Sequence, residues 1–216
     1  MLQLRDARTD EVTPVAGARA GALRVHACAI ELRSLLVADL VRRAATLSHD
    51  LFVRVTASGV HRDAAALNIH PAEVVDGVPD ADVRIGCTTG TGLLVEADAV
   101  SFDVGAGDPL AVRLALLDVD YRKPVDLDDG VLAAARVTLS RWRGLVAEWA
   151  RSPGAPMDVE IARRISAAFD NDLDTSLALQ ALFELESADS APPGTKFETF
   201  AYADRLFGLD LARDIR

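Results

Sequence analysis

The residues of this chain with the clearest chemical potential lie at the end of its first buried strand. Apolar and polar residues alternate over residues 23–28, as in a β-strand, and the strand ends at Cys28. Only residues 29–32 separate Cys28 from an amphipathic helix. In nucleotide-binding α/β domains, this connection carries the groups that contact a phosphate. Residues 29–32 contain neither glycine nor histidine, so this connection lacks the residue types that usually contact a phosphate.

A second cluster, Tyr121, Arg122 and Lys123, could contact a phosphate, although a solvated turn explains the same residues about as well. We take these three residues as candidates for substrate binding and assign no catalytic residue. The glycine-rich stretch GCTTGTG at 86–92 does not lie between a strand and a helix and has no following lysine. It is therefore not a P-loop, and a loop before a hairpin is the better interpretation.

Other titratable residues have simpler structural explanations. Asp170, Asp172 and Asp174 alternate, but the segment lacks the glycine and the distal glutamate of a calcium-binding EF-hand. We expect Asp172 or Asp174 to cap a helix instead. Three histidines have no spaced nucleophile or carboxylate and are expected to be surface or capping residues: His49, His61 and His70.

Composition excludes some classes of protein. The 216 residues include 23 Lys and Arg against 33 Asp and Glu, a net charge of −10. Because generic nucleic-acid binding neutralises phosphates with cations, this balance disfavours DNA and RNA. No apolar run approaches the roughly 20 residues of a membrane span, and the charged start MLQLRDARTD lacks the apolar segment of a secretory signal. Two cysteines do not make a disulfide framework, so we expect a cytoplasmic protein.

The elements that must position these residues change in kind near residue 105. The first half predicts an antiparallel pair around Asp10, and then a strand–helix–strand unit with a parallel pair. In its helix, Arg42 and Arg43 are expected to face out. The predicted elements after the antiparallel pair are strand 23–28, helix 34–48, strand 51–57, short helix 62–67, a helix from residue 71, and a hairpin over LLVEADAVSFDV that turns at 97–98.

From Asp108 onward nearly everything is predicted to be helical. Asp108 can cap a helix and Pro109 suits its first position. The predicted helices cover 110–117, 128–151, 157–170, 175–187 and 197–208. The fold class is therefore α/β followed by all-α. We expect a reduced, Rossmann-like half-domain with short β-hairpins over 1–106 and a C-terminal helical bundle over 107–216.

Several stretches, in order along the chain, resemble the class I cysteinyl-tRNA synthetases and their relative, the cysteine ligase of mycothiol biosynthesis. The clearest is DPLAVRLALLDVDYRKPVDLDDGVLAAARVTLSRW at 108–142, which is similar to the family segment after the second ATP signature. AAFDNDLDTSLALQALFEL at 167–185 resembles an acidic helix–turn of the family. LQLRDARTDEVTPV and LRVHAC resemble the N-terminal β-ribbon and the first Rossmann strand.

The resemblance implies zinc and ATP as cofactors, but the motifs that bind them are missing. In the family, the first strand ends in a zinc-ligating cysteine, which makes Cys28 a candidate metal ligand. The other family ligands are absent and Cys87 lies too far along the chain to argue proximity, so we expect a buried free thiol at Cys28. The His-x-Gly-His and Lys-Met-Ser-Lys-Ser signatures are also absent, since the chain passes from Cys28 directly to Arg33 and VSFDVGAGDP bridges the second position.

These losses predict a degenerate, non-catalytic relative of the synthetases that acts through a protein partner or as a homo-oligomer, with no DNA and no membrane partner. Adenylation needs preorganised charge on phosphate, which the absent loops would have supplied. Two alternatives stay open. One is an enzyme whose remodelled pocket uses cysteine, an aminoacyl adenylate or aminoacyl-tRNA. The other is a non-catalytic tRNA-binding module, disfavoured by charge, which would need a basic stripe drawn from Arg113, Arg122, Lys123, Arg136, Arg141 and Arg143.

Overall fold

The computed structural model describes residues 1–15, 21–100 and 107–215. Within these ranges the chain forms a two-stranded ribbon, a five-stranded sheet and a set of helices. The strands are β1 (Gln3–Asp6), β2 (Glu11–Pro14), β3 (Ala22–Ala27), β4 (Phe52–Ala57), β5 (Glu73–Val74), β6 (Val83–Ile85) and β7 (Leu93–Val95). The helices are α1 (Leu32–His49), α2 (Pro109–Leu117), α3 (Asp129–Trp149), α4 (Val159–Asp170), α5 (Thr175–Ser187) and α6 (Pro193–Phe207).

The sheet is parallel throughout, in the order β5-β4-β3-β6-β7. Val25 at the centre of β3 is aligned with Val55 of β4 and Val83 of β6. Successive side chains of a strand point to opposite faces, so these valines share one face, which α1 covers. The predicted parallel strand–helix–strand unit and the antiparallel ribbon β1–β2 are both confirmed.

The other face of the sheet is exposed near the beginning of β3 and β4, whereas the residues further along the same face are buried. Phe52 at the beginning of β4 is 73% exposed, and Arg24, Arg54 and Glu73 are exposed beside it. We call these four residues the open face. Among the described residues, none of the helices α2–α6 packs on the sheet as α1 does. Parallel sheets normally have both faces covered, so this arrangement is unusual.

The helical half follows the capping signals of its sequence. Asp108 accepts the backbone N–H of Leu110 at 3.0 Å and caps α2, with Pro109 at its first position. Asp174 accepts the N–H of Leu177 at 3.0 Å and caps α5, as predicted. Buried side chains form one continuous core from the ribbon through α1 to α6. The α/β and all-α fold class is confirmed, whereas the boundary between 106 and 107 stays a prediction.

Three predicted elements of the first half differ from the structure. Residues 62–68 form turns rather than a regular helix, and Asn68 there has a left-handed φ of 54°. The segment after Pro71 forms the short edge strand β5, because it can pair with β4. β7 pairs in parallel with β6, so the hairpin prediction is wrong in its first strand. Residues 101–106 of that prediction lie outside the described ranges.

None of the helices in the described ranges combines the length and the apolar character that crossing a bilayer requires.

Candidate functional site

The carboxyl edge of the sheet brings the two cysteines together. β3 and β6 are neighbouring parallel strands, so the residues that follow them meet at the same edge. Cys28 donates its backbone N–H to Ile85 at 2.9 Å, and its sulfur is bonded to that of Cys87, with 5.2 Å between the Cα atoms. The expected free thiol at Cys28 is therefore wrong. The separation of 59 residues hid the pairing, because sheet order rather than distance along the chain makes these residues adjacent.

The disulfide also overturns Cys28 as a metal ligand, since a metal is bound by the thiolate form of cysteine. Within the described ranges, no group of three or more His, Cys, Asp or Glu side chains is placed to hold a metal ion. The residues present at this edge therefore do not fit the zinc that the resemblance implied.

The first turn of α1 fits a nucleotide phosphate poorly. Glu31 occupies its N-cap position without making a side-chain cap, so an acidic residue stands beside the backbone N–H groups that would bind an anion. The connections after β3 and β6 are also in close contact. Gly86 has φ of +66°, and a Cβ at this residue would come within 2.9 Å of Ala29. The hydroxyl of Ser34, also at this contact, is buried and has no hydrogen-bond partner among the described residues.

The predicted substrate-binding residues lie in the turn after α2. Tyr121 is buried, and its hydroxyl donates to Asp172 Oδ1 at 2.7 Å. Burial, reinforced by the neighbouring carboxylate, raises the pKa of Tyr121 well above its usual value. Tyr121 therefore serves as a neutral donor inside the fold, and its ring does not line the cleft formed by its neighbours.

Arg33 fixes this turn from the first turn of α1, a role that the sequence did not reveal. Its guanidinium donates to the carbonyls of Lys123 and Asp120, both at 2.8 Å. Burial lowers the pKa of Arg33, although Asp98 and Asp120 oppose that shift. Arg122 lies 3.0 Å from the carboxylate of Asp120. The backbone of the turn is thus held by internal contacts rather than left free as a solvated loop.

Arg122 and Lys123 do line a polar cleft of about 490 Å³ between the ribbon, this turn and the segment before α5. Its charged lining residues are Arg5, Asp118, Asp120, Arg122, Lys123, Asp172 and Asp174. The Nε atoms of Arg5 and Arg122 are buried without a hydrogen-bond partner among the described residues. With both signs of charge on its walls, the polar cleft suits a small ligand that carries both an anionic and a cationic group.

Two of the six residues proposed for a basic stripe that would bind tRNA are withdrawn from the surface. Arg113 is fully buried and donates to Asp39 at 2.8 Å. Arg143 is also buried and pairs with Asp108. Two of the six arginine and lysine positions are therefore unavailable to a nucleic-acid backbone.

Asp39 forms a buried ionic network that the sequence did not indicate. Its carboxylate accepts from Arg43 Nε and Arg113 Nη2, both at 2.8 Å, and from His70 Nδ1 at 2.7 Å. Burial alone would raise the pKa of Asp39, but these partners hold it well below its usual value. The prediction that Arg43 faces out is wrong, because Arg43 turns back to this carboxylate. His70 likewise binds a buried group rather than only solvent.

Comparison with known proteins finds no matching family model but several similar curated proteins. The cysteine–tRNA ligase of Rhodospirillum centenum is 40% identical over 80 residues, which are 36% of this chain and 16% of that protein. The L-cysteine:1D-myo-inositol 2-amino-2-deoxy-alpha-D-glucopyranoside ligase of Kribbella flavida is 35% identical over 104 residues, 48% of this chain and 25% of that protein. The same ligase of Streptomyces griseus is 38% identical over 88 residues, 41% of this chain and 20% of that protein.

Each match thus spans a quarter or less of the relative's own length. Both kinds of ligase are those to which the ordered stretches of the sequence pointed. Over a third to a half of its length, this chain resembles the cysteine–tRNA ligases and the mycothiol cysteine ligases.

Proposed function

We propose that this chain is a non-catalytic relative of the cysteine ligases, and that it acts by associating with a protein partner or with a second copy of itself. The observation that carries the proposal is the Cys28–Cys87 disulfide. In open α/β sheets, ligands bind outside the carboxyl ends of the strands. Here the ends of two central strands are joined covalently at that place.

The charges near the carboxyl edge of the sheet also support the proposal that the chain does not activate an amino acid. Adenylation builds negative charge on a phosphate, and preorganised donors that stabilise such charge are usually the largest contribution to catalysis. Glu31 places a negative charge at the beginning of α1. Arg33, the nearest cation along the chain, is buried and donates to backbone carbonyls instead. A triphosphate would therefore meet repulsion rather than stabilisation.

The open face supports action through association. It exposes an aromatic ring, Phe52, among charged residues on a sheet whose parallel strands normally have both faces covered. Arg54 pairs with Glu73 at 2.7 Å, and Arg24 pairs with Asp80 at 2.6 Å. A surface with both signs of charge around an aromatic residue can complement another protein, including a copy of itself.

Cysteine-dependent exchange of pyrophosphate into ATP tests the non-catalytic half of the proposal. We expect no exchange above a control without enzyme, either with the disulfide intact or after reduction by dithiothreitol. An active cysteine–tRNA ligase provides the positive control, and a Cys28→Ser variant separates thiol chemistry from activation. Exchange that requires both cysteine and this chain would refute the proposal.

A second candidate function rests on the polar cleft. Two guanidinium Nε atoms of its lining are buried without a hydrogen bond to the described residues, and the nearest carboxylate contact of Arg5 Nε is 3.6 Å long, which favours a bound ligand over an empty cleft. We infer that, if the chain is an enzyme with a remodelled pocket, cysteine or a cysteine derivative would bind here, near Arg122 and Lys123. Release of a stoichiometric nucleotide or aminoacyl compound on denaturing the purified protein would favour this function over association.

A further inference from the structure

A second cleft lies beside α1, on the side of the sheet where β4 ends. It has a volume of about 270 Å³ and shares no lining residue with the polar cleft. Leu35 of α1, Val55 of β4 and Ile69 form part of its wall, together with several alanines. Val60 at the cleft is 71% exposed. We call it the apolar cleft, and its size suits a small molecule with a hydrophobic body.

The titratable side chains that line the apolar cleft are predominantly basic. Arg42 and Arg62 line it, and so do two histidines, His61 and His70. Asp39 is the single acidic residue of this lining. Its carboxylate is fully buried and is already shared by two arginines and a histidine, as described above. Arg62 Nε lies 3.4 Å from the carboxylate of the residue that follows it, so Arg42 is the arginine of this lining that has no carboxylate in direct contact among the described residues.

Arg42 is the cation with the least compensation. Its Nη2 donates to the carbonyl of Pro71 at 3.1 Å, and its Nε is buried with no hydrogen-bond partner among the described residues. Burial lowers the pKa of Arg42. A guanidinium removed from water gains stability from an anionic partner, which the surrounding described residues do not supply by direct contact.

We propose that the apolar cleft binds a small organic carboxylate, with its hydrocarbon or aromatic body against Leu35, Val55 and Ile69 and its charged end toward Arg42. The proposal does not depend on the function proposed above. It assigns a ligand class to a cleft whose lining includes neither cysteine of the disulfide and no residue of the polar cleft.

Titration of the isotopically labelled full chain with benzoate, followed by ¹H–¹⁵N correlation spectra, tests this site. We expect saturable shifts centred on Arg42, Val60 and Ile69, with a dissociation constant of about 0.1–1 mM for so small a probe. Benzamide has a similar shape without the charge, and its dissociation constant should be at least about tenfold higher. Equal affinity for the two probes, shifts centred elsewhere, or no saturable shifts would overturn the proposal.

Two variants test the site independently of each other. Arg42→Gln removes the cation and should weaken benzoate about tenfold while leaving benzamide unchanged. Ala65→Phe fills the cleft from an exposed wall position and should abolish binding of both probes. Arg151→Gln removes an exposed arginine at the end of α3 and provides the matched control, with unchanged affinity. Unchanged benzoate binding in both cleft variants would also reject the site.

Discussion

Tyr121, at the scale of single residues, links three separate segments through one carboxylate. Its hydroxyl and the backbone N–H of Arg5 both donate to Asp172 Oδ1, at 2.7 and 2.8 Å. Asp172 itself adopts a left-handed φ of 57°, in the turn between α4 and α5. The ribbon, the turn after α2 and the turn before α5 therefore meet at this carboxylate, and these are the segments that line the polar cleft.

The pH dependence of stability should reveal the buried phenol. The pKa of Tyr121 is raised in the folded protein, whereas an unfolded tyrosine ionises near pH 10. The contribution of the Tyr121 hydroxyl to the free energy of unfolding is therefore fully present below about pH 10 and is lost as the pH rises further. We expect Tyr121→Phe to lower the free energy of unfolding in urea by about 1.5–3 kcal/mol at neutral pH, and by less above about pH 10.

Tyr202→Phe is the matched control for that series. The Tyr202 hydroxyl shares a hydrogen bond with Ser166 at 2.7 Å and contacts no carboxylate that the described residues supply. We expect this variant to lower the free energy of unfolding by about 1 kcal/mol at neutral pH. A difference between Tyr121→Phe and the wild type that stays constant from neutral to alkaline pH would contradict the buried, neutral phenol.

At the scale of elements, the disulfide joins the ends of β3 and β6 through cysteines that are 59 residues apart in the sequence. β6 has only three residues, so few backbone hydrogen bonds hold it to β3. A cross-link at their ends restricts the unfolded chain and keeps the two strands in register. The same bond lies at the carboxyl edge of the sheet and is the observation that carries the proposed non-catalytic function.

Removal of this bond should destabilise the protein measurably. We expect Cys28→Ser with Cys87→Ser to lower the free energy of unfolding by about 4 kcal/mol, from the entropy of closing a loop of this length. Dithiothreitol should lower the melting temperature of the wild type and leave the double variant unaffected. Labelling of both cysteines by iodoacetamide in the native, unreduced protein, detected by intact mass, would show that the bond does not form.

The whole molecule combines a sheet face that is exposed at one end with a strongly acidic chain. Its net charge of −10 opposes association through most surfaces. The open face differs locally, because Arg24 and Arg54 lie beside the exposed ring of Phe52. If a second copy is the partner, this surface offers apolar area together with arginines that are paired with Glu73 and Asp80.

Sedimentation velocity over a range of protein concentrations tests self-association. We expect the wild type to sediment increasingly as a dimer, and Phe52→Asp to remain a monomer, because the added carboxylate would be desolvated in the interface. Val137→Asp changes another exposed apolar residue, 65% exposed on α3, and should behave as the wild type does. A wild type that stays monomeric throughout would eliminate the second copy and leave only a different protein partner.

The sequence by itself determined what depends on neighbouring residues. The alternation of apolar and polar residues predicted β3, and apolar residues at helical spacing predicted the helices. Asp108 and Asp174 cap α2 and α5, as their positions in the sequence indicated. The ordered stretches also indicated the ligases to which the chain is similar. These features are local because a helix forms its hydrogen bonds within a few residues and a cap acts on its own first turn. The turns at 62–68 were missed because their conformation depends on packing beside α1.

Only the tertiary structure decided which distant residues meet. Cys28 pairs with Cys87 across 59 residues, Tyr121 with Asp172 across 51, and Arg113 with Asp39 across 74. Each of these contacts changed the interpretation of a candidate residue. Cys28 forms a disulfide instead of a free thiol, and Tyr121 is a buried hydrogen-bond donor instead of a ligand-binding phenol. Arg113 belongs to a buried ion pair instead of the surface. Composition and spacing carry no information on such pairs, because strand order and helix packing determine which side chains become neighbours and which are withdrawn from water.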